Sequence, residues 1–120
     1  MERITIIEHK RKKIFFVDLK DSRESAENIE IINKAKDMIM KMEEKSVLLL
    51  SDYTNAHYDI PAAEAMKNFS KSVTPFVKAS AVLGVTGIKR ILFNSVVKLT
   101  GRHIEIFDKK EDALDYLVSR

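Results

Sequence analysis

The chain of 120 residues has the length and composition of one soluble globular domain, because 45% of its residues are hydrophobic, 32% are charged and the formal net charge is +3. It contains no cysteine, which excludes disulfides, thiol nucleophiles and cysteine-ligated zinc. Its longest strictly aliphatic run is Val47–Leu50, far below the roughly 20 residues that span a bilayer. The amino-terminal segment lacks the apolar region of a secretory signal, so we expect a cytoplasmic protein.

The first predicted elements are an antiparallel β-hairpin and a long helix. Residues 3–8 alternate between polar and apolar side chains, residues 14–19 form an apolar run, and the residues between them are all polar. Asp21 and Glu24 have the spacing of a capping box, which predicts the start of the helix. Its predicted apolar stripe consists of Ile31, Ile32, Ala35, Met38, Ile39 and Met42.

The middle of the chain predicts two buried strands with a helix between them. The apolar runs 46–51 and 77–85 are typical of strands buried on both faces, so we expect them to be adjacent, parallel and central. Asp59 as the N-cap and Pro61 in the first turn predict the start of the intervening helix. The Thr74-Pro75 pair predicts its end.

A third helix is predicted over residues 87–100, and Gly101 supplies its stop. A short alternating strand at 103–107 and a last helix capped by Asp108 follow. The order β-β-α-β-α-β-α-β-α predicts parallel crossovers. We therefore expect one α/β domain over residues 1–120, with four helices and a five-stranded, mostly parallel sheet whose first strand is antiparallel at an edge.

This pattern resembles the SpoIIAA-like branch of the STAS superfamily, the bacterial anti-sigma-factor antagonists and their relatives, over the whole chain. The most specific segments are SVLLLSDYTNAHYD at 46–59, VKASAVLGVTGIKRILFNSVVKLTGRHIEIFD at 77–108 and the final EDALDYLV helix. The resemblance implies a STAS fold and a regulatory module. It also implies a phosphate-accepting Ser in an Asp-Ser-Ser-Gly signature after the third strand. Asp59 matches that signature, but Ile60 and Pro61 replace its Ser positions, so the Ser of the family's phospho-switch is absent.

Polar residues follow the predicted strands at the edge where parallel α/β sheets bind ligands. Asp52, Thr54 and Asp59 are the loop candidates, and helix capping or turn formation is the alternative explanation for them. The segment 84–90, GVTGIKR, opens the third helix, whose free N–H groups attract anions. It lacks the Walker A pattern, and a tight turn with close packing at glycine is the alternative. The candidate anion-binding residues are Gly84, Thr86, Gly87, Lys89 and Arg90.

Other chemistries have little support in the sequence. Asp52, His57 and Asp59 share a loop, but the usual histidine spacings of metal sites are missing, so we assign no metal and no cofactor. No catalytic signature occurs, so we predict no enzyme. Seven basic residues and no acidic residue lie between Ala65 and Ile104, which suits an acidic partner. Nucleic-acid binding is disfavoured because aromatic residues do not interleave with these cations.

The third helix has apolar residues on two sides. Its expected core stripe consists of Ile88, Ile91, Leu92, Val96 and Leu99. Phe93 and Val97 then lie about 140–180° from Ile88 and predict an exposed ridge, a homodimer seam or a groove for a partner or lipid. We therefore expect a non-enzymatic module that binds itself or another protein. The alternative is a binder of a small anionic ligand or lipid headgroup at the carboxyl ends of the strands.

Overall fold

The structure, a computed structural model, describes residues 3–101 and 103–120, with the side chains of all of these except 88, 89, 92, 96, 99 and 100. Its elements follow the predicted order and confirm the α/β class. They are β1 (Ile4–His9), β2 (Lys12–Asp18), α1 (Ser25–Ile39), β3 (Val47–Asp52), α2 (Ile60–Val73), β4 (Val77–Leu83), α3 (Ile88–Thr100), β5 (Glu105–Phe107) and α4 (Lys110–Val118). No helix in the described ranges has the length and apolar character needed to cross a membrane.

The five strands form one sheet in the order β1-β2-β3-β4-β5. β1 is antiparallel to β2 at an edge, and each later pair of neighbours is parallel, as predicted. Lys10 and Arg11 form the hairpin turn between β1 and β2 with φ of 50° and 69°. Two positive φ values in a two-residue connection are typical of a type I′ turn, whose twist matches that of the strands.

Helices cover both faces of the sheet, which explains the continuous apolar runs of the central strands. On one face, α1, α2 and α3 pack against inward side chains such as Phe15, Val17 and Leu49. On the opposite face, α4 packs against alternate residues such as Phe16 and Leu50. Successive residues of β2 and β3 therefore enter two different hydrophobic cores.

The starts of α1 and α4 differ from the prediction, although the Asp59 cap and the Gly101 stop are confirmed. The N-cap of α1 is Glu24 and that of α4 is Lys109, and neither cap makes a side-chain hydrogen bond. Asp21 cannot open α1 because its φ is 62°, and its carboxylate instead accepts from Asn55 Nδ2 at 3.1 Å. One residue of the predicted α1 stripe, Met38, is exposed, whereas Ile39 is buried and Met42 packs against the core, as predicted.

Candidate functional site

The candidate residues gather where the parallel strands end. Strand register aligns Asp18 with Asp52, and Asp52 with Leu83, so the loops that follow begin at the same edge of the sheet. Backbone hydrogen bonds join these loops: the Leu19 N–H donates to Asp52 O at 2.9 Å, and the Tyr53 N–H donates to Leu83 O at 2.8 Å. The sequence correctly predicts that polar residues collect at this carboxyl edge.

Asp52 and Thr54 stabilise their own turn. Asp52 Oδ1 accepts from the Thr54 backbone N–H at 2.9 Å and from Thr54 Oγ1 at 2.6 Å. Gly84 lies against the same turn with φ of +75°, and a Cβ atom built on it would overlap the backbone nitrogen of Thr54. The structure therefore brings the candidates Asp52, Thr54 and Gly84 together. Their contacts are those of a closely packed turn, the alternative to ligand binding that the sequence left open.

Asp59 is the most heavily hydrogen-bonded carboxylate of this edge. Its Oδ1 accepts from the Ala62 N–H and from Ser25 Oγ, each at 3.0 Å, and its Oδ2 lies 3.1 Å from His57 Nε2. The Ala62 N–H, with smaller contributions from Ser25 and His57, lowers the pKa of the Asp59 carboxyl below its ordinary value despite partial burial. Asp59 thus caps α2 and ties it to the start of α1.

The Ser25, Asp59 and His57 side chains do not form a hydrolytic triad. A triad places histidine between the nucleophile and the carboxylate, whereas here both Ser25 and His57 bond to Asp59. Asp52 does not join His57 and Asp59, because its carboxylate bonds to Thr54. The geometry supports helix capping, and the three loop residues considered for a metal do not converge among the described side chains.

The start of α3 is the part of the predicted anion motif that stays accessible. Gly87 is the N-cap, with φ of 59° and no side-chain cap hydrogen bond. Thr86, Gly87 and Arg90 are exposed, whereas Gly84 is engaged with Thr54. The Lys89 side chain lies outside the described residues.

Two small cavities lie beneath α2 and α3, and Tyr53, Met66 and Phe93 line both. Their volumes are about 20 and 10 Å³. An ordered water needs at least about 10–15 Å³, and a drug-sized ligand needs several hundred. The larger cavity has room for a water beside the hydroxyls of Ser51 and Ser80, and neither has room for an organic ligand.

Sequence reasoning missed several buried polar residues around this edge. Asn28 of α1 is 2% exposed, and its Nδ2 donates to the His57 carbonyl at 2.9 Å. Ser22 is also buried, and its carbonyl accepts from the His57 N–H at 2.7 Å. The Tyr58 hydroxyl is buried without a hydrogen-bond partner in the described part of the chain, and burial raises the pKa of Tyr58. No motif marks Asn28 or Ser22, because each is paired with a backbone group of the distant His57 loop.

The predicted orientation of α3 is wrong. Phe93 is 3% exposed, packs in the core and lies 6.4 Å from Tyr53 between ring centroids, while Val97 is partly buried against the same core. Ile91, expected in the core, is 67% exposed. At 100° per residue Ile91 lies about 160° from Phe93, so burying the larger aromatic ring turns Ile91 outward. The exposed Phe93–Val97 ridge proposed as an interface therefore does not exist.

The outer surface of α2 and α3, called here the α2–α3 surface, is basic with two exposed isoleucines. Ile60 is 80% exposed in the first turn of α2, and Ile91 lies on α3. Glu64 is the acidic residue of these two helices. Within the described ranges, the exposed cations of this surface make no ion pair with an acidic side chain; they are Lys67, Lys71, Arg90 and Lys98.

The fold and its carboxyl edge define a single α/β domain with a five-stranded mixed sheet and four helices. Comparison of the chain with protein-family models, curated proteins and solved structures finds no match.

Proposed function

We propose that the chain is a non-enzymatic, STAS-like interaction module that binds an acidic partner protein through the α2–α3 surface. The observation that carries this proposal is Ile60, an isoleucine 80% exposed on the first turn of a regular helix. Burying a side chain of this size in an interface is worth about 1.5–3 kcal/mol. Ile60 is therefore suited to be an apolar anchor at the centre of a contact.

The charges around Ile60 and Ile91 specify the kind of partner. Lys67, Lys71 and Arg90 project into solvent on the same pair of helices, and Glu64 offsets one of these charges. A basic surface attracts an acidic one over a distance of about one Debye length, roughly 8 Å at physiological salt. We therefore expect an acidic protein surface with an apolar centre, and binding that weakens as salt rises.

The carboxyl edge supports binding rather than catalysis. Its carboxylates bond to groups of their own loops, as Asp52 does to Thr54 and Asp59 does to Ala62. A catalytic acid or base needs a reactive group directed into a space that substrate can enter. The cavities beneath this edge are too small for an organic substrate, which favours a surface contact with a macromolecule.

A second copy of the chain is a less favourable partner for this surface. Two copies related by a two-fold axis would bring like patches together, and the patch contains Lys71, Arg90 and Lys98. Like charges across an interface repel, so a homodimer through this surface requires acidic groups from elsewhere. An acidic heterologous partner needs no such compensation.

The alternative function is binding of a small anionic ligand or lipid headgroup at the start of α3. The observation that favours it is the absence of a side-chain cap at Gly87, next to the exposed Thr86 and Arg90. The start of a helix attracts negative charge through its macrodipole. The nearby Asp52 carboxylate, at the same edge of the sheet, opposes an anion.

Native mass spectrometry of the full chain from its own cells separates these functions, because it reports bound proteins and retained ligands together. The proposal expects a 1:1 complex with an acidic protein, which is then expressed and titrated by calorimetry. Ile60→Glu should weaken that complex at least about tenfold, the effect of losing roughly 1.4 kcal/mol. Met40→Glu is the matched control, since Met40 is also an exposed apolar residue but lies at the C-cap of α1.

A retained small anion that is lost from Arg90→Gln, with no protein complex, would overturn the proposal in favour of the alternative. A protein complex that Ile60→Glu leaves unchanged would place the contact on another surface. A dimer mass that disappears with Ile60→Glu would identify a second copy as the partner.

A further inference from the structure

The His9 imidazole lies at the end of β1, where two carboxylates of α4 face it. His9 Nε2 is 2.8 Å from Asp115 Oδ1 and 4.0 Å from Glu111 Oε1. One potential ligand atom from each of the three side chains lies within 4.8 Å of the other two. Glu111 and Asp115 are four residues apart, so their side chains share one face of the helix.

We infer that His9, Glu111 and Asp115 form a binding site for a divalent transition-metal ion such as Zn²⁺. Zn²⁺ binds histidine nitrogen and carboxylate oxygen at about 2.0–2.2 Å, which separates ligand atoms around one ion by roughly 3–3.5 Å. The observed distances of 2.8 and 4.0 Å lie on either side of that range. Small side-chain rotations are therefore enough to place all three ligands around one ion.

The chemistry of the donor set selects the type of ion. Imidazole nitrogen suits Zn²⁺ and the later first-row ions, whereas Mg²⁺ and Ca²⁺ prefer oxygen donors alone. Because the ion binds the unprotonated Nε2, a neutral His9 would carry its ring proton on Nδ1, and bonds to the ion would replace the contact between Nε2 and Asp115. The three side chains leave at least one coordination position for water, because Zn²⁺ takes four or more ligands.

The scaffold holds the two halves of the site in place. The His9 side chain is 16% exposed, so packing restricts its ring. The hairpin is also attached to α4 by Lys12, whose Nζ donates to the Val118 carbonyl at 2.8 Å. A metal ion at this position would therefore cross-link the hairpin to α4 and stabilise the fold by mass action.

Lys10 competes with the metal for one ligand. Its Nζ lies 2.9 Å from Asp115 Oδ1, the oxygen that also contacts His9. The Lys10 side chain is 63% exposed, so it can turn into solvent when an ion binds. Removing the Lys10 charge should therefore strengthen metal binding. If the carboxylates only formed an ion pair with Lys10 and bound no metal, this substitution would have no such effect.

The chain offers its own controls, because it has three histidines and no cysteine. His57 lies 3.1 Å from Asp59, and His103 lies 2.6 Å from Glu105, so each has a carboxylate neighbour. Within residues 3–101 and 103–120, the convergence of histidine with two carboxylates occurs at His9. His57→Gln and His103→Gln thus test whether a single histidine–carboxylate pair is enough.

Zn²⁺ titration of the full chain against a competing chelator, with Co²⁺ absorption as a second readout, tests the site. We expect one ion per chain, bound at least about tenfold more weakly by His9→Gln and Asp115→Asn, since even loss of an outer-shell partner costs that much. His57→Gln and His103→Gln should bind as the unaltered chain does. Lys10→Met should bind roughly 1.5- to 5-fold more tightly, the range that an exposed ion pair is worth.

Equal affinity of His9→Gln and the unaltered chain would overturn the inference, as would an equal loss from His103→Gln. Circular dichroism establishes that each variant is folded before titration. If His9→Gln fails to fold, the affinities of Lys10→Met and Glu111→Gln test the site instead, because substitutions at these two exposed positions should leave the fold intact. Unchanged affinity in both would also overturn the site.

Discussion

Gly84 packs directly on Thr54, so closely that a Cβ atom at Gly84 would overlap the nitrogen and Cα of Thr54. The overlap is with backbone, so truncating the Thr54 side chain could not relieve it. The contact joins the end of β4 to the turn after β3, and Asp52 fixes that turn by accepting two hydrogen bonds from Thr54. Close packing at glycine is thus a structural requirement of the carboxyl edge.

Gly84→Ala should destabilise the fold by more than Gly87→Ala. Both glycines have positive φ, and Gly87, with ψ of −132°, lies outside the left-handed helical region; such sparsely populated backbone conformations cost a non-glycine residue about 1–3 kcal/mol. A Cβ at Gly87 meets no atom within 4 Å, so Gly87→Ala carries the conformational cost alone. Urea unfolding of both variants measures the additional cost of the overlap. Equal losses would mean that the Thr54 turn moves aside freely.

Phe93→Ala should lower the free energy of unfolding by about 3–5 kcal/mol, the usual cost of removing a buried aromatic ring. Phe93 packs on Tyr53 in the core, whereas Ile91 projects into solvent on the same helix. Ile91→Ala should therefore stay within about 0.5 kcal/mol of the unaltered chain. Chemical denaturation of the two variants checks the orientation of α3. The opposite ranking would restore the orientation expected from the sequence.

Asn28→Ala should cost about 1–3 kcal/mol, because it removes the buried donor to the His57 carbonyl and leaves that partly buried carbonyl without this hydrogen bond. Asn33→Ala is the matched control, since Asn33 is an exposed asparagine of the same helix. Both substitutions raise helix propensity equally, so their difference isolates the buried hydrogen bond. Thermal unfolding measures it, and identical melting temperatures would show that α1 is not held to the loop by Asn28.

Asp59 should make the fold sensitive to acid. Its pKa is lower in the folded chain than in the unfolded chain, so its ionised form contributes stability that is fully present above the unfolded pKa of about 3.9. That contribution is lost as the pH falls through the lower, folded pKa. Asp59→Asn retains a good cap but removes the titration.

The stability difference between the unaltered chain and Asp59→Asn should therefore shrink from pH 6 downward to about pH 2. Urea unfolding across this range measures it. Asp37→Asn, which removes an exposed carboxylate of α1, is the control for the loss of one negative charge. A difference that stays constant with pH would mean that the charge on Asp59 does not stabilise α2.

The sheet could be predicted from the sequence because the signals for its strands and connecting helices lie within a few neighbouring residues. Continuous apolar runs such as Val47–Leu50 arise where both faces of a strand are covered, and Asp59 with Pro61 marks a helix start within four residues. The order of these elements then leaves few topologies. Strand order and direction therefore followed from patterns a few residues long.

The rotation of α3 and the His9 cluster depend on distant partners. Apolar residues lie all around α3, so periodicity does not decide whether Phe93 or Ile91 enters the core. His9 and Asp115 are 106 positions apart, and only the docking of α4 on the hairpin brings them together. The cap predicted at Asp21 also depended on a distant partner. Asp21 adopts a positive φ in a turn, and its carboxylate accepts a hydrogen bond from Asn55 instead of capping α1.

The position of α4 has a consequence for synthesis on the ribosome. Strands β1 to β4 and the three helices on one face of the sheet are complete by residue 100. On the other face, Phe16, Leu50 and Leu83 are covered only after Leu114 and Leu117 of α4 have been synthesised. A nascent chain translated to β5 therefore exposes one apolar face of its sheet, to which chaperones can bind. Ribosome stalling between β5 and α4 should therefore increase chaperone binding, and release of α4 should end it.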